Sequence, residues 1–125
     1  MLCGAPQIQV VMLGGIVRKS SGSMVGPLAQ SSLRELTADH LILGVDALDP
    51  EVGVCTPDML EAQLNAQMIR VSREVTAVAD FSKFHRRSLS VISSVDRLTR
   101  VVTDDKTDTQ AIDSIRNRGV DVIVV

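Results

Sequence analysis

Aromatic residues are nearly absent from this 125-residue chain. Phe81 and Phe84 are its two aromatic residues, and it has neither Trp nor Tyr. The core must therefore be built mainly from Val, Ile, Leu, Met and Ala. Surfaces that bind RNA or single-stranded DNA usually stack bases on aromatic rings, so this composition argues against a protein of that class.

Excess positive charge, cysteine and long apolar runs are also scarce. The formal net charge is -2, which argues against a broad basic surface for DNA, and sequence-specific DNA binding by this chain alone is not expected. Cys3 and Cys55 match no metal-ligand spacing and are expected to be reduced thiols. No apolar run has the length of a membrane span, and no secretory signal is evident. These observations predict a cytoplasmic protein.

The composition that is present predicts one α/β domain over residues 1–125. Hydrophobic residues make up 45% and charged residues 22% of the chain, as in ordinary globular proteins. Strand-length apolar runs alternate with segments of helical periodicity, which predicts βαβ units in a mostly parallel sheet with helices on both faces. The predicted strands are residues 8–13, 40–45, 75–79, 89–92, 100–103 and 120–125. The predicted helices are residues 27–37, 56–73 and 107–118, with Thr56 and either Thr107 or Asp108 as N-caps.

In a parallel sheet, ligands bind beyond the carboxyl ends of the strands. Four segments follow predicted strands here: Gly14-Gly15, residues 44–49, residues 80–83 and Thr103-Asp104. The glycine pair allows close approach of a ligand to the backbone, although a plain turn would use the same residues. The Ser- and Gly-rich segment 20–26 is suited either to an anion site or to a flexible loop.

Three acidic residues and one lysine are candidates for ligand binding. Asp46 could accept hydrogen bonds from sugar hydroxyls, or it could belong to a solvated turn. Glu61 could face the same site, or it could compensate the dipole of the helix that it begins. Asp80 and Lys83 could bind a hydroxyl and a phosphate, respectively, or they could form a local ion pair worth under about 1 kcal/mol.

Catalytic and metal-binding patterns are not recognisable in the sequence. His40 and His85 have no matching partners for metal coordination or for nucleophilic chemistry. Arg86 and Arg87, which follow His85, are expected on a solvated surface. We therefore predict no catalytic residue, no metal and no cofactor.

The order of several motifs resembles the C-terminal sensor domain of DeoR-type transcriptional repressors. These motifs are VVMLGG, GPLA at a helix start, DHLILGVD from Asp39 to Asp46, Gly53, Glu61, ADFSKF and VVTD. The resemblance covers residues 10–125, and residues 79–84 carry its best single piece, similar to a D-x-[ST]-K-F signature. Regulators of galactitol, N-acetylgalactosamine or tagatose pathways are the most similar members.

The resemblance implies a fold similar to ribose-5-phosphate isomerase and CoA transferases, used for sensing. It implies that a phosphorylated sugar binds and modulates DNA binding of the intact repressor of a carbohydrate catabolic operon. Gly14 and Gly15 would lie near this ligand, Asp46 would face its hydroxyls, and Asp80 and Lys83 would close the pocket.

The chain also departs from the family pattern. Family members begin with a winged helix-turn-helix, followed by a strand and a Gly/Thr-rich loop that cradles the phosphate, and neither precedes Met1 in this sequence. We therefore expect a truncated effector domain with an incomplete phosphate site, which reaches DNA only through an absent N-terminal domain. Ala47 stands where relatives usually have Gly. Loss of the first strand would leave an open sheet edge, so a homo-oligomer is expected.

Two other hypotheses remain open at this point. The chain could be a sugar-phosphate isomerase-like enzyme with Glu61 or Asp46 as general base. Isomerase relatives carry a Lys-Gly-Gly stretch before the catalytic acid, whereas this chain has Val52-Gly53-Val54-Cys55, which favours sensing. The chain could also be a non-functional remnant of a disrupted repressor gene, and such a remnant would bind no ligand and would tend to aggregate.

Overall fold

The computed structural model describes residues 4–125 of the chain. Three α-helices lie in this range: α1 (Pro27–Leu33), α2 (Met59–Val71) and α3 (Thr109–Arg116). The strands in the same range are β1 (Ile16–Val17), β2 (Met24–Val25), β3 (Ala38–Gly44), β4 (Ala47–Asp49), β5 (Gly53–Thr56), β6 (Ser72–Val78), β7 (Ser90–Ser93), β8 (Arg100–Thr103) and β9 (Asp121–Val124). No helix in this range is long and apolar enough to cross a membrane.

The centre of the domain is a four-stranded parallel sheet. Its strand order is β3-β6-β8-β9, and every neighbouring pair runs parallel. Helix α2 connects β3 to β6, and α3 connects β8 to β9, as expected for crossovers between parallel neighbours. The predicted α/β fold with a mostly parallel sheet is therefore confirmed.

Side chains of aspartate begin both crossover helices. The Asp58 carboxylate accepts a hydrogen bond of 2.8 Å from the Glu61 amide at the start of α2. The Asp108 carboxylate accepts one of 2.9 Å from the Ala111 amide at the start of α3. Asp108 was one of two predicted caps for α3, whereas the prediction of Thr56 as the cap of α2 is wrong. Asp58 is the N-cap instead of Thr56 because its carboxylate reaches the free amides of the first turn.

The two faces of the parallel sheet have different environments. One face contributes Leu43, Val75 and Val101 to the aliphatic core, where they join buried side chains of α2 and α3. The opposite face carries Ile42, which is 72% exposed, and Ile123, which is 41% exposed. Within residues 4–125, the predicted helical cover is therefore present on one face of this sheet.

Residues 46–54 were predicted to form a loop, and this prediction is wrong. They contain β4 and the start of β5, which pair antiparallel, and β7 pairs with β5 to complete a second, three-stranded sheet. The Asp49 carboxylate accepts hydrogen bonds from the amides of Glu51 (2.9 Å) and Val52 (3.0 Å). The Asp, Pro and Gly residues of this segment therefore form the tight turn of a hairpin.

The prediction of a strand at residues 8–13 is also wrong. Residues 5–15 contain no strand, and Val11 and Met12 are exposed. The first strand is β1, after Gly15, and it pairs antiparallel with β2, which lies within the segment 20–26 that was offered as an anion site or a flexible loop. An apolar run becomes a strand only where a neighbouring strand offers backbone partners, and residues 8–13 find none among residues 4–125.

The cysteine prediction is tested only at one position. Cys55 is buried and carries a free thiol, while Cys3 lies outside the described residues.

Candidate functional site

Asp46, Asp80 and Asp104 lie together at the end of the sheet where the carboxyl ends of the central strands meet. Beyond the paired residues, the amide of Val45 donates to the carbonyl of Val78 (3.2 Å), and that of Ala79 donates to the carbonyl of Val102 (3.1 Å). Each of the three aspartates follows one of these adjacent strands in the sequence. This edge is the place where parallel sheets usually bind ligands.

Asp46 belongs to a group of connected polar side chains that we call the Thr56 cluster: Arg18, Ser23, Asp46, Thr56 and Glu61. The hydroxyl of Thr56 lies 2.8 Å from Oδ2 of Asp46 and 3.2 Å from Oε2 of Glu61. Arg18 donates to Oε2 of Glu61, and the Ser23 hydroxyl lies 3.5 Å from Oε1 of Glu61. The cluster therefore joins the β1–β2 hairpin, the end of β5 and the first turn of α2.

Local structure explains why these side chains meet. Asp58 caps α2 and places Glu61 in the first turn, beside the last residue of β5, Thr56. Oδ2 of Asp58 also lies 3.3 Å from Nε of Arg18, so two carboxylates form ion pairs with one guanidinium. The side chains of Arg18 and Glu61 are 20% and 15% exposed. This shielding from water makes their ion pair stronger than one on an open surface.

Glu61 and Asp46 differ in how well their carboxylates are satisfied. Glu61 is contacted by Arg18, Ser23 and Thr56. Among residues 4–125, Asp46 has a hydrogen-bond partner only in Thr56. A carboxylate has about four acceptor positions, so Asp46 keeps the capacity to accept hydrogen bonds from hydroxyl groups of a ligand.

Asp80 and Lys83 lie at the two ends of a short 3₁₀ turn, Phe81–Lys83. The Asp80 carboxylate accepts from the amide of Ser82 at 2.9 Å, and Oδ2 of Asp104 accepts from the amide of Phe81 at 3.1 Å. Hydrogen bonds from Ser82 hold the pKa of Asp80 below its usual value. In the part of the chain that the structure describes, no carboxylate lies within ion-pair distance of Lys83. The predicted alternative of a local Asp80–Lys83 ion pair is thus not observed.

The glycine pair has two different environments. Gly14 and Gly15 both have positive φ angles, +79° and +107°. A Cβ atom on Gly15 would lie 2.5 Å from the carbonyl oxygen of Val25, whereas a Cβ on Gly14 would meet no atom within 4 Å. Gly15 is required for packing against β2, and Gly14 leaves open space next to its backbone.

Sequence reasoning missed Arg18 as a member of the site, placed Ser23 only within the candidate anion segment 20–26, and assigned Thr56 a different role. Arg18 lies 43 positions from Glu61 in the sequence, and no local pattern indicates such a contact. The available signals were the Gly14-Gly15 pair, which turns the chain just before Arg18, and the Ser- and Gly-rich segment 20–26, which contains Ser23.

A second polar group lies beside α3 and was expected to be a solvated basic patch. Nε of Arg87 lies 2.7 Å from Oδ2 of Asp49, and Nε2 of His85 lies 2.7 Å from Oδ2 of Asp108. The hydrogen bond from Arg87 holds the pKa of Asp49 below its usual value, against the opposing effect of burial. Arg87 and His85 therefore each have an acidic partner.

Two cavities of the described residues differ in their relation to the predicted ligand residues. One is a groove of about 770 Å³ between α1, α2 and β7, and none of the six predicted residues lines it. A cavity of about 340 Å³ beside the β1–β2 hairpin includes Glu61 and Ser23 in its wall. Asp46, Asp80 and Lys83 lie outside these two cavities, at the C-terminal end of the parallel sheet.

Comparison with known proteins gives a consistent family. A family model described as the DeoR C terminal sensor domain matches residues 1–105. The chain is 38% identical over 124 residues to "Putative aga operon transcriptional repressor" of Escherichia coli O157:H7, which covers 99% of this chain and 46% of the relative. It is 35% identical over 115 residues to the HTH-type transcriptional regulator GlpR of Haloferax volcanii, which covers 92% of this chain and 45% of that relative. It is 27% identical over 96 residues to the glycerol-3-phosphate regulon repressor of Escherichia coli K12, which covers 77% and 38%. The chain spans less than half the length of each of these relatives.

Proposed function

Because this chain belongs to the DeoR C-terminal sensor domain family, we propose that it senses a phosphorylated sugar on behalf of a repressor of a carbohydrate catabolic operon. The relatives named above are transcriptional regulators, and one is named for a glycerol-3-phosphate regulon. In an intact regulator of this family, the effector would shift the population of conformations and thereby change operator affinity. The contacts with DNA would be made by another part of that regulator.

One observation carries the choice of ligand class. At neighbouring strand ends the chain has a carboxylate with free acceptor capacity, Asp46, and an ammonium group without an acidic partner among the described residues, Lys83. Asp46 matches the hydroxyl groups of a sugar, and Lys83 matches a phosphate group. Gly14, with open space beside it, lets a ligand approach the backbone.

In the alternative of an isomerase-like enzyme, the state of Glu61 argues against this residue as the general base. A general base needs a carboxylate that is free to take a proton from the substrate. Glu61 is instead held by Arg18, and the Ser23 hydroxyl lies 3.5 Å from its Oε1. Together with the names of the relatives, this supports a sensor that performs no catalysis.

We also propose that the domain self-associates. β3 and β9 are the edges of the parallel sheet, and Ile42 and Ile123 are exposed on its uncovered face. Parallel sheets are normally covered on both faces, so a second copy would shield this surface. Analytical ultracentrifugation should show a concentration-dependent dimer or larger oligomer that Ile42→Lys weakens. Leu28→Lys, at an exposed leucine of α1, is the control and should not alter association.

The ligand class is tested by thermal melting against a panel of ketose and aldose phosphates, with unphosphorylated sugars as controls. A ligand at 100 times its dissociation constant stabilises a protein by about 2.7 kcal/mol. For 125 residues this corresponds to a rise in Tm of about 10 °C. A rise with one phosphorylated sugar and none with its unphosphorylated form supports the proposal. No rise with any member of the panel contradicts it and supports the remnant hypothesis.

Variants at the site sharpen this experiment. Asp46→Asn and Lys83→Met should each reduce the ligand-induced rise in Tm. Asp39→Asn makes the same change as Asp46→Asn, and Arg73→Met likewise replaces a positive charge by methionine, at exposed positions near the opposite ends of β3 and β6. These two controls should keep the full response.

A further inference from the structure

Thr56 is a buried hydroxyl placed between two carboxylates. It is 1% exposed, and its Oγ1 lies 2.8 Å from Asp46 and 3.2 Å from Glu61. A hydroxyl has one proton to donate. Thr56 can therefore form a hydrogen bond with one of these carboxylates at a time, while its oxygen lone pairs face the other.

The shorter distance indicates that Thr56 donates to Asp46 when no ligand is bound. Asp46 has no other hydrogen-bond partner among residues 4–125, whereas Glu61 is also contacted by Arg18 and Ser23. Rotation about the Cβ–Oγ bond would redirect the proton to Glu61 without breaking any covalent bond. The preferred orientation of the Thr56 hydroxyl depends on how strongly Asp46 competes with Glu61 for its proton.

We propose that Thr56 is a positioning residue that links Asp46 to the β1–β2 hairpin through Glu61 and Arg18. A ligand hydroxyl that donates to Asp46 reduces the demand of this carboxylate for the Thr56 proton. Thr56 then donates to Glu61. The identity of the ligand rests on the function proposed above, but the link itself is a property of the ligand-free chain.

A change at Glu61 affects the β1–β2 hairpin because ion pairs of Arg18 connect this hairpin to α2. Arg18 contacts Glu61 and Asp58, and the hairpin itself is closed by hydrogen bonds from the Arg18 amide to the Ser23 carbonyl (2.9 Å) and from the Gly22 amide to the Arg18 carbonyl (2.8 Å). A further hydrogen bond from Thr56 restricts the rotamers of Glu61 and keeps its carboxylate aligned with the guanidinium. The hairpin should therefore open less often when Asp46 is occupied.

The link can be tested without a ligand by hydrogen exchange of the Arg18 and Gly22 amides. In Asp46→Asn, the side-chain NH₂ group can donate to Thr56 and so directs its proton towards Glu61. We expect exchange of both amides to slow at least threefold relative to the wild type. The same substitution in a Thr56→Ser background should slow exchange to a similar extent, because serine keeps the hydroxyl.

The decisive comparison is with Thr56→Val, which keeps the shape of threonine and removes the hydroxyl. In this background Asp46→Asn should have no effect on the two amides. Exchange is measured in 1 M salt, where the Debye length is about 3 Å, so that direct repulsion between Asp46 and Glu61 contributes little. The amide of Val101, at a fully buried position in the central sheet, reports whether each variant remains folded.

Two results would overturn the proposal. One is unchanged exchange on introducing Asp46→Asn into the wild type, and the other is equal slowing in the valine and threonine backgrounds. A failure of every sugar phosphate to raise the Tm of the wild type would contradict the proposed function, and it would leave this comparison intact.

Discussion

Replacement of Gly15 by alanine should destabilise the domain more than the same change at its neighbour Gly14. Alanine at φ +107° adopts a sparsely populated backbone conformation, which costs about 1–3 kcal/mol. The new Cβ would also lie 2.5 Å from the carbonyl oxygen of Val25, so the contact between this turn and β2 must shift. Overpacking of this kind typically costs about 1–3 kcal/mol more.

The expected effects are large enough to measure by thermal unfolding. With 125 residues, the entropy of unfolding is about 0.26 kcal/mol/K, so each 1 kcal/mol lowers the Tm by about 4 °C. Gly15→Ala should lower it by about 8–24 °C. Gly14→Ala has positive φ but meets no atom within 4 Å, and it should lower the Tm by about 4–8 °C through backbone strain alone.

The comparison of the two alanine variants is the test, because the residues are adjacent and the substitution is the same. Equal losses, or a greater loss at Gly14, would show that the close approach of Gly15 to Val25 is not a feature of the folded protein. The reasoning would then be refuted even if both variants were destabilised.

Three further predictions concern stability. Leu48 is fully buried, and Leu48→Ala should lower the free energy of unfolding in urea by about 2–5 kcal/mol. Removal of the α3 cap by Asp108→Ala should cost about 0.5–2 kcal/mol, measured in the same way, while Asp108→Asn should recover most of that loss. Because Arg87 lowers the pKa of Asp49 in the folded state, Asp49 contributes stability that is present above about pH 4 and is lost as the pH falls through its lowered pKa. Urea unfolding across this range should show a smaller acid-induced loss in Asp49→Asn, and an equal loss would contradict the assignment.

The central sheet and its crossover helices could be predicted because their signals are local. The predicted strand 100–103 coincides with β8, and the predicted strands 40–45 and 75–79 overlap β3 and β6. Continuous apolar runs mark strands that are buried between neighbours. Aspartates near helix starts and Gly119, with φ +81° at the end of α3, mark helix boundaries for reasons of backbone chemistry.

The hairpins could not be predicted because pairing decides them. Residues 8–13 have the composition of a strand but no strand partner, whereas Ile16 and Val17 form a two-residue strand because Met24 and Val25 lie opposite. The residue types of the turn at Asp49 are typical both of an open loop and of a hairpin. The pairing of β4 with β5, and of β5 with β7, distinguishes the two.

The position of the candidate site could be predicted from the sequence, but the contacts between its side chains could not. The rule for parallel sheets directs attention to the segments after each strand, and Asp46 and Asp80 lie there. The partners of Glu61 come from residues that are distant in sequence, Arg18 and Ser23. Whether a carboxylate is free or already paired depends on such tertiary contacts.

The most direct test of the sensor account is an NMR titration of the ¹⁵N-labelled chain with the phosphorylated sugar that raises its Tm most. The account predicts that the largest shift changes occur in the amides of residues 14–23, 46–49 and 80–83, at the carboxyl edge of the sheet and in the adjoining hairpin. Changes confined to the groove between α1, α2 and β7, or no saturable change at all, would contradict it.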